Sequence, residues 1–533
     1  MRILPTANQM RNAEQYTIEK VGIPSSVLME RAALGIVDVM KREGIDLTRV
    51  LILCGSGNNG GDGFAVSRLL HQLGHSVALR FVGDTNKMTE ECKLQMNICK
   101  NLCIDVGNGL EDIEELDALN FTAIIDGIFG IGLTRLVSEK YLEIIRKVKV
   151  LRGAQVVAID IPSGVCATTA KCFAGSLGAI QADLTIAIQC EKLGTILFPG
   201  ARFSGKVVTI DIGIQTIGRQ RIEGCDFVNQ MYTFGDEHLC YTYDREDVKT
   251  YMPKRVVDSH KGDYGKVLVI AGSAGMSGAA FLCSRAAYGV GAGVVKIYTP
   301  TENRSTLQTL LPESIVVAYD QFDSRQLDEL LEWADVVCIG CGLGKSSLSE
   351  EILIHTLKKV NCPIVIDADG INLLKNHKEL LGELEHPCIL TPHIKEMANF
   401  TDLTIKDLKE NPVKCARDFA KSYPVICVMK DARTVVSLNE RHTFINTSGN
   451  NAMAKGGAGD VLAGVITGLI GISCRHGEIV VPALSDDSAF LNATFGVFLH
   501  GLGGDMARDK KGSHSVLPRD IITGIEEVLA QGE

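Results

Sequence analysis

Short apolar runs rich in Val and Ile alternate with amphipathic stretches along the whole chain. A run that is apolar at every position suits a strand buried on both faces, as in parallel sheets. The amphipathic stretches between such runs then read as covering helices. In the first half the runs predict strands at Val50–Cys54, Ser76–Val82, Ala123–Asp126, Gln155–Ile161, Leu184–Ile188 and Val207–Ile210. Between the first two, Phe64, Leu69, Leu70 and Leu73 share one face of a helix over Phe64–Leu73, so strand, glycine-rich turn, helix and strand form a right-handed βαβ unit. After Ile214 the pattern lapses into a polar, aperiodic stretch reaching about Thr250. It restarts with Lys266–Gly272, a Gly/Ser/Ala loop and a helix from about Ala279. Further strands are predicted at Val294–Tyr298, Val336–Gly340, Pro363–Asp367, Cys388–Thr391, Val425–Lys430 and Thr434–Leu438. The expectation is an α/β protein of two domains, 1–218 and 241–533, joined by a linker over 219–240.

Composition narrows the function classes. The chain has 533 residues, 46% apolar and 22% charged, enough for about two to four domains with ordinary cores. A net charge of −10 and no basic stripe argue against a general nucleic-acid or anionic-membrane binder. The seventeen cysteines sit mostly in apolar runs. No Cys-x-x-Cys pair stands beside a second such pair or a His pair, which argues against zinc and fits buried thiols in a reducing cytosol. The N-terminus lacks the apolar core of a signal peptide. Val461–Cys474 is shorter than the ~20 residues of a membrane span and contains Gly464, Gly468 and Gly471, so it reads as a buried helix. A cytoplasmic homo-oligomer without nucleic-acid or membrane partners is expected.

Two glycine–acid segments open helices in different halves. Asn58-Asn59-Gly60-Gly61-Asp62-Gly63 follows the first strand, and Gly456-Gly457-Ala458-Gly459-Asp460 precedes an apolar helix. Glycine lets backbone N–H groups close around an anion, and a helix N-terminus adds favourable partial charge. Two more segments of the first half stand at strand ends, Asp126–Leu133 and Asp160-Ile161-Pro162-Ser163-Gly164. Taken singly, each is equally well a tight turn or a helix cap. Together they gather oxygens from Asn59, Asp126, Ser163 and Asp160 that suit a hard cation.

These three segments of the first half, with Gln9–Glu14 and Leu28–Ala32, resemble the NAD(P)H-hydrate epimerase family over roughly residues 1–215. The resemblance implies a Rossmann-like three-layer αβα fold. It implies a potassium ion near Asn59, Asp126 and Ser163. The hydrate would be held by Asn58, Asn59, Gly60, Gly61 and Asp62 and by Gly130, Ile131, Gly132, Leu133, Thr134, Arg135 and Leu136, with Asp160 at the reacting carbon. Ile131 stands where that family often has Thr, and Cys166 where a polar residue is common.

In the second half, Asp460 at a helix start is placed to take a proton from a substrate hydroxyl, while the amides around it stabilise a transferring phosphoryl group. Asp460 as a mere cap and His393 as a turn residue are the bland alternatives. The segments Lys261–Lys266, Gly272–Ala280, Gly340–Gly344, Asp367–Gly370, Leu390–His393 and the Asp460 loop resemble the ribokinase-like superfamily, and within it the ADP- or ATP-dependent NAD(P)H-hydrate dehydratases, from about residue 240 onward. The resemblance implies a ribokinase-like αβα domain, with Ala279, Gly342, His393 and Asp460 bordering the hydrate. Lys430, Asp431, Ala432, Arg433, Thr434 and Gly459 would border ADP or ATP, accompanied by Mg2+. Asp431 stands where Gly is usual and Ala458 where Thr is common. The combined expectation is a bifunctional repair enzyme that epimerises hydrated NADH or NADPH and dehydrates one epimer at the expense of a nucleotide. The rival is a ribokinase-like small-molecule kinase carrying a non-catalytic nucleotide-binding first half.

Overall fold

A computed structural model describes residues 1–110, 120–151, 153–221, 228–235, 238–252, 255–439, 442–476 and 487–532. The chain divides into two compact units, Ile3–Leu239 and Cys240–Glu533, the latter joined by Met1–Arg2.

The first unit is built on seven parallel strands. Numbered by their order in the chain, they run 3-2-1-4-5-6-7 across the sheet: Val106–Asn108, Ser76–Phe81, Arg49–Cys54, Ala123–Gly127, Gln155–Ile159, Leu184–Ile188 and Lys206–Ile210. Alternation of side chains along a strand feeds two cores. Val50, Ile52 and Cys54 pack with Phe64 and Leu70 on one face. Leu51 and Leu53 pack with Ile144, Ile145 and Val148 on the other. The result is the expected three-layer αβα unit.

The second unit carries an eleven-stranded sheet. Its centre, Lys266–Ile270, Val336–Ile339, Ile364–Ile366, Cys388–Leu390 and Ile426–Met429, is parallel, and Val435–Ser437 runs antiparallel beside it. On one face Leu268, Ile270, Val337, Ile339, Ile364 and Ile366 pack with Leu327, Ile352, Met397 and Phe419. On the other face lies the helix Ala458–His476. A Cβ on its Gly471 would stand 3.2 Å from Val336 Cγ1 and 3.3 Å from Val267 Cγ2. This helix crosses Ser277–Gly289 so closely that a Cβ on Gly464 would meet the Cys283 carbonyl oxygen at 2.1 Å. Among the described residues it is the one helix long and apolar enough to cross a membrane; here it is a core helix, mostly buried against the sheet.

Some expected elements differ. The segment Asn58–Gly63 is the opening of the helix Asn58–Gln72 itself rather than a turn before it. The stretch read as aperiodic holds an antiparallel ribbon, Ile217–Arg221 with Val228–Tyr232. Short strands at Val106–Asn108, Cys240–Thr242, Ile315–Tyr319 and Thr443–Ile445 lie outside the expected set.

Candidate active sites

In open α/β sheets ligands bind beyond the carboxyl ends of the strands, where strand order reverses. In the first unit that point lies between Arg49–Cys54 and Ala123–Gly127. The ends of these strands, with that of Gln155–Ile159, bring the predicted segments to one cleft of about 1480 Å³. Asn58, Asn59, Asp62, Gly130, Ile131, Gly132, Leu133, Thr134, Arg135, Leu136 and Asp160 all line it. Gly60 and Gly61 lie on the inner side of their helix. A Cβ on Gly60 would stand 2.0 Å from the Gly55 carbonyl oxygen, and one on Gly61 2.6 Å from Met29 Cε, so these two glycines set the closeness of helix to strand end.

Asp160 follows its strand with φ +65°, a left-handed backbone rare outside glycine. Its Oδ1 is ion-paired with the buried Lys192 Nζ and accepts from Ile188 N at 3.0 Å. Lys192 also donates to the Ile188 carbonyl at 2.6 Å, which fixes the ammonium against the acid. Two more acids reach the cleft. Burial, reinforced by Asp160, raises the Glu14 carboxyl above its ordinary range. Burial, reinforced by Asp160 and then Glu14, lifts Asp62 well above it. Asp160, Glu14 and Asp62 thus lie within electrostatic reach of one another and of the Lys192 ammonium.

Asp126 is fully buried at the end of its strand. Its carboxylate accepts from Ser163 Oγ at 2.6 Å, Ser163 N at 2.8 Å and Ile128 N at 3.2 Å, and Ser163 Oγ accepts from Phe129 N at 2.9 Å. All three donors to Asp126 are neutral. Burial pushes this carboxyl up to about 6 against the pull of those bonds. Asn59 lies alongside: a Cβ on Gly130 would stand 3.2 Å from its Oδ1, and its Nδ2 has no partner among the described residues. Oxygens from a carboxylate, an amide and a hydroxyl, with no cationic side chain bonded to the carboxylate among the described residues, suit a hard monovalent cation.

In the second unit Asp460 lies in the first turn of Ala458–His476. Burial and then the neighbouring Asp367 raise its carboxyl to about 6. Asp367, after Ile364–Ile366, accepts on Oδ1 from Lys430 Nζ and from Thr391 Oγ1, each at 2.6 Å. Burial acts to lower the Lys430 ammonium, but Asp367 and Glu396 outweigh it and raise it. A Cβ on Gly459 would stand 3.4 Å from Lys430 Nζ and 3.7 Å from Asp367 Oδ2. Gly459, Asp460, Asp367 and Lys430 therefore form one cluster. Ala279 and Gly342 meet each other, since a Cβ on Gly342 would lie 2.8 Å from Ala279 Cβ. His393 caps the helix Ile394–Thr401: its Nδ1 accepts from Glu396 N at 3.0 Å, while half of its side chain stays exposed. Its backbone bridges to Lys430. Beyond Lys430, Asp431 and Ala432 are exposed, Arg433 is partly exposed and Thr434 is buried.

Two family models match the chain. One, described as NAD(P)H-hydrate dehydratase, covers residues 267–527. The other, described as YjeF-related protein N-terminus, covers residues 25–194. The bifunctional NAD(P)H-hydrate repair enzyme Nnr of Moorella thermoacetica is 30% identical, over 99% of this chain and 96% of its own. The chain belongs to the bifunctional NAD(P)H-hydrate repair enzymes. The enzyme of that name from Escherichia coli is 29% identical over 98% of this chain and 93% of its own. A solved structure, the ADP/ATP-dependent NAD(P)H-hydrate dehydratase from Bacillus subtilis co-crystallised with ATP/Mg2+, is 27% identical, covers 54% of this chain and 98% of its own, and superposes with a TM-score of 0.45.

As a member of this family the chain couples an NAD(P)H-hydrate epimerase half to an NAD(P)H-hydrate dehydratase half. Three charged residues of these clusters are given no role by the sequence alone. Lys192 and Glu14 are single charges outside any glycine segment. Asp367 stands in a quoted segment, but its link to Lys430 spans 63 residues. Position shortly after a strand end was the available signal for Lys192 and Asp367; Glu14 closes the quoted segment Gln9–Glu14, which gave it a resemblance but no role.

Proposed function

We propose that Asp160 with Lys192 serves the epimerase half and Asp460 the dehydratase half. The hydrate carries its hydroxyl on a ring carbon bonded to nitrogen. Such a hydroxyl leaves as water once protonated, because the nitrogen lone pair stabilises the resulting cation, and water returning to the opposite face inverts the centre. Asp62, whose carboxyl burial and then Asp160 and Glu14 raise well above its ordinary range, suits the donor role; Asp160, paired with Lys192, suits the acceptor role. Asn59, Asp126 and Ser163 would hold a potassium ion, which would supply positive charge beside the buried Asp126.

In the dehydratase half Asp460 takes the proton of the substrate hydroxyl as its oxygen attacks the terminal phosphorus of ADP or ATP, whose bridging phosphorus–oxygen bond breaks to release AMP or ADP. Phosphate then departs with the carbon–oxygen bond, pushed by the ring nitrogen, and loss of a proton from the adjacent ring carbon restores the double bond. Lys430, Asp431, Ala432, Arg433 and Thr434 are proposed to border the nucleotide, and Mg2+ to accompany it. Ala279, Gly342 and His393 are proposed to border the hydrate. The observation that carries this reading is Asp460 in a helix's first turn, beside Gly459, Lys430 and Asp367, with its carboxyl raised to about 6.

The test mixes the purified protein with both hydrate epimers and either nucleotide and follows recovery of reduced-nicotinamide absorbance. Asp460→Ala abolishes recovery from both epimers. Asp160→Ala confines fast recovery to one epimer. Exchange of potassium for choline slows consumption of the second epimer in the native protein. Unchanged turnover in Asp460→Ala, or a product that keeps its phosphate, overturns the dehydratase assignment.

A further inference from the structure

The second unit contains a cluster of sulfurs that the proposed reaction leaves unused. Cys338 lies in the strand Val336–Ile339, one residue before its end, and Cys341 follows at Cys-x-x-Cys spacing. Cys283 enters from the helix Ser277–Gly289, and its Sγ lies 3.6 Å from Cys338 Sγ. The three Sγ atoms lie within 4.8 Å of one another, all on buried residues. Zinc–thiolate bonds of ~2.3 Å place sulfurs sharing one tetrahedral ion about 3.8 Å apart, so a small contraction encloses an ion. A second triangle adjoins the first: Cys341 Sγ and carboxylate oxygens of Asp367 and Asp460 also lie within 4.8 Å of one another. Cys341 belongs to both triangles, and a carboxylate oxygen is an ordinary fourth ligand for zinc.

We propose that Cys283, Cys338 and Cys341 form a binding site for a zinc-class divalent cation, completed by Asp460 or Asp367, and that occupancy silences the dehydratase half by engaging its base. Binding converts three thiols to thiolates and releases three protons to the buffer; no electron moves, so no oxidant is required. The sequence spacing argues against zinc because it shows a single Cys-x-x-Cys pair. The fold supplies the third sulfur from a helix 55 residues earlier. Other buried cysteines, such as Cys388 and Cys427, belong to no such triangle among the described residues.

The test uses the reduced, full-length protein. Cadmium titration of the metal-free protein is expected to produce one equivalent of sulfur-to-metal charge-transfer absorbance with proton release, and zinc added beforehand to release the same protons and reduce the band. Cys283→Ala and Cys338→Ala each weaken zinc binding by about tenfold or more, whereas Cys427→Ala leaves it unchanged; nucleotide binding by each variant confirms that its unit is folded. Zinc suppresses nucleotide-dependent recovery in the native protein, a chelator restores it, and the Cys283→Ala/Cys338→Ala double variant escapes. The absorbance arm is independent of the role given to Asp460; the inhibition arm rests on it. Absence of the band, or a band of equal strength in the double variant, overturns the site. Stoichiometric binding without inhibition overturns the regulatory part alone.

Discussion

At the scale of single residues, the two sites place their charges differently. Asp160 and Lys192 are both almost fully enclosed, so removing one partner strands the other in a low-dielectric interior. Asp160→Ala is expected to destabilise the protein by about 3–5 kcal/mol. The matched Asp160→Ala/Lys192→Met variant recovers most of that stability without recovering epimerisation. Denaturant unfolding of the single and double variants reads this, and a single variant as stable as the native protein refutes the buried-pair account. Asp460 sits in a cluster whose one ammonium, Lys430, is held by Asp367. A raised carboxyl acts as a base only when ionised, so kcat/KM of the dehydratase half falls as pH drops through about 6 and levels off above it. A profile flat from pH 5 to 7, on the order of one unit either side of that midpoint, would remove Asp460 from the base role.

At the scale of elements, glycine decides how near the apolar helix Ala458–His476 approaches its neighbour. Gly464→Ala drives a methyl into the Cys283 carbonyl and toward Ala286 Cβ, 3.0 Å away. Such overpacking costs about 1–3 kcal/mol. Because Asp460 rides on the same helix, thermal unfolding should shift together with dehydratase turnover; unchanged values of both would contradict the packing. The interior strands were legible because burial on both faces writes an unbroken apolar run, as in Val50–Cys54 and Val336–Ile339. Val106–Asn108, Cys240–Thr242 and Thr443–Ile445 are only three residues long and leave too little sequence for any period to register. Ile315–Tyr319 has the apolar composition but borders the sheet, and its half-exposed positions blur the signal. The glycine–acid segments were legible as well, because tight strand-to-helix passages restrict their residue types. Lys192 and Glu14 were not, since an ion pair or a shared cleft leaves no local spacing to read.

At the scale of the whole molecule, two units with separate sheets and separate cores carry two chemistries. Calorimetry is expected to resolve two transitions. Nucleotide at about a hundred times its dissociation constant stabilises the unit that binds it by about 2.7 kcal/mol. The expected outcome is a shift of one transition, belonging to Cys240–Glu533, with the other unmoved. A single transition, or an equal shift of both, would contradict this division of labour.

The left-handed backbone at Asp160 has a consequence for sequence space. Asn, Asp and Gly adopt that conformation most readily, while β-branched or bulky side chains are strained there. Of those three, Asp alone carries an ionisable carboxyl. Geometry and proton chemistry together narrow this position's usable alphabet to one letter. Saturation mutagenesis should therefore rank Asn and Gly as the replacements least costly to the backbone, each still stranding Lys192, and leave Asp by itself in the set that interconverts the epimers.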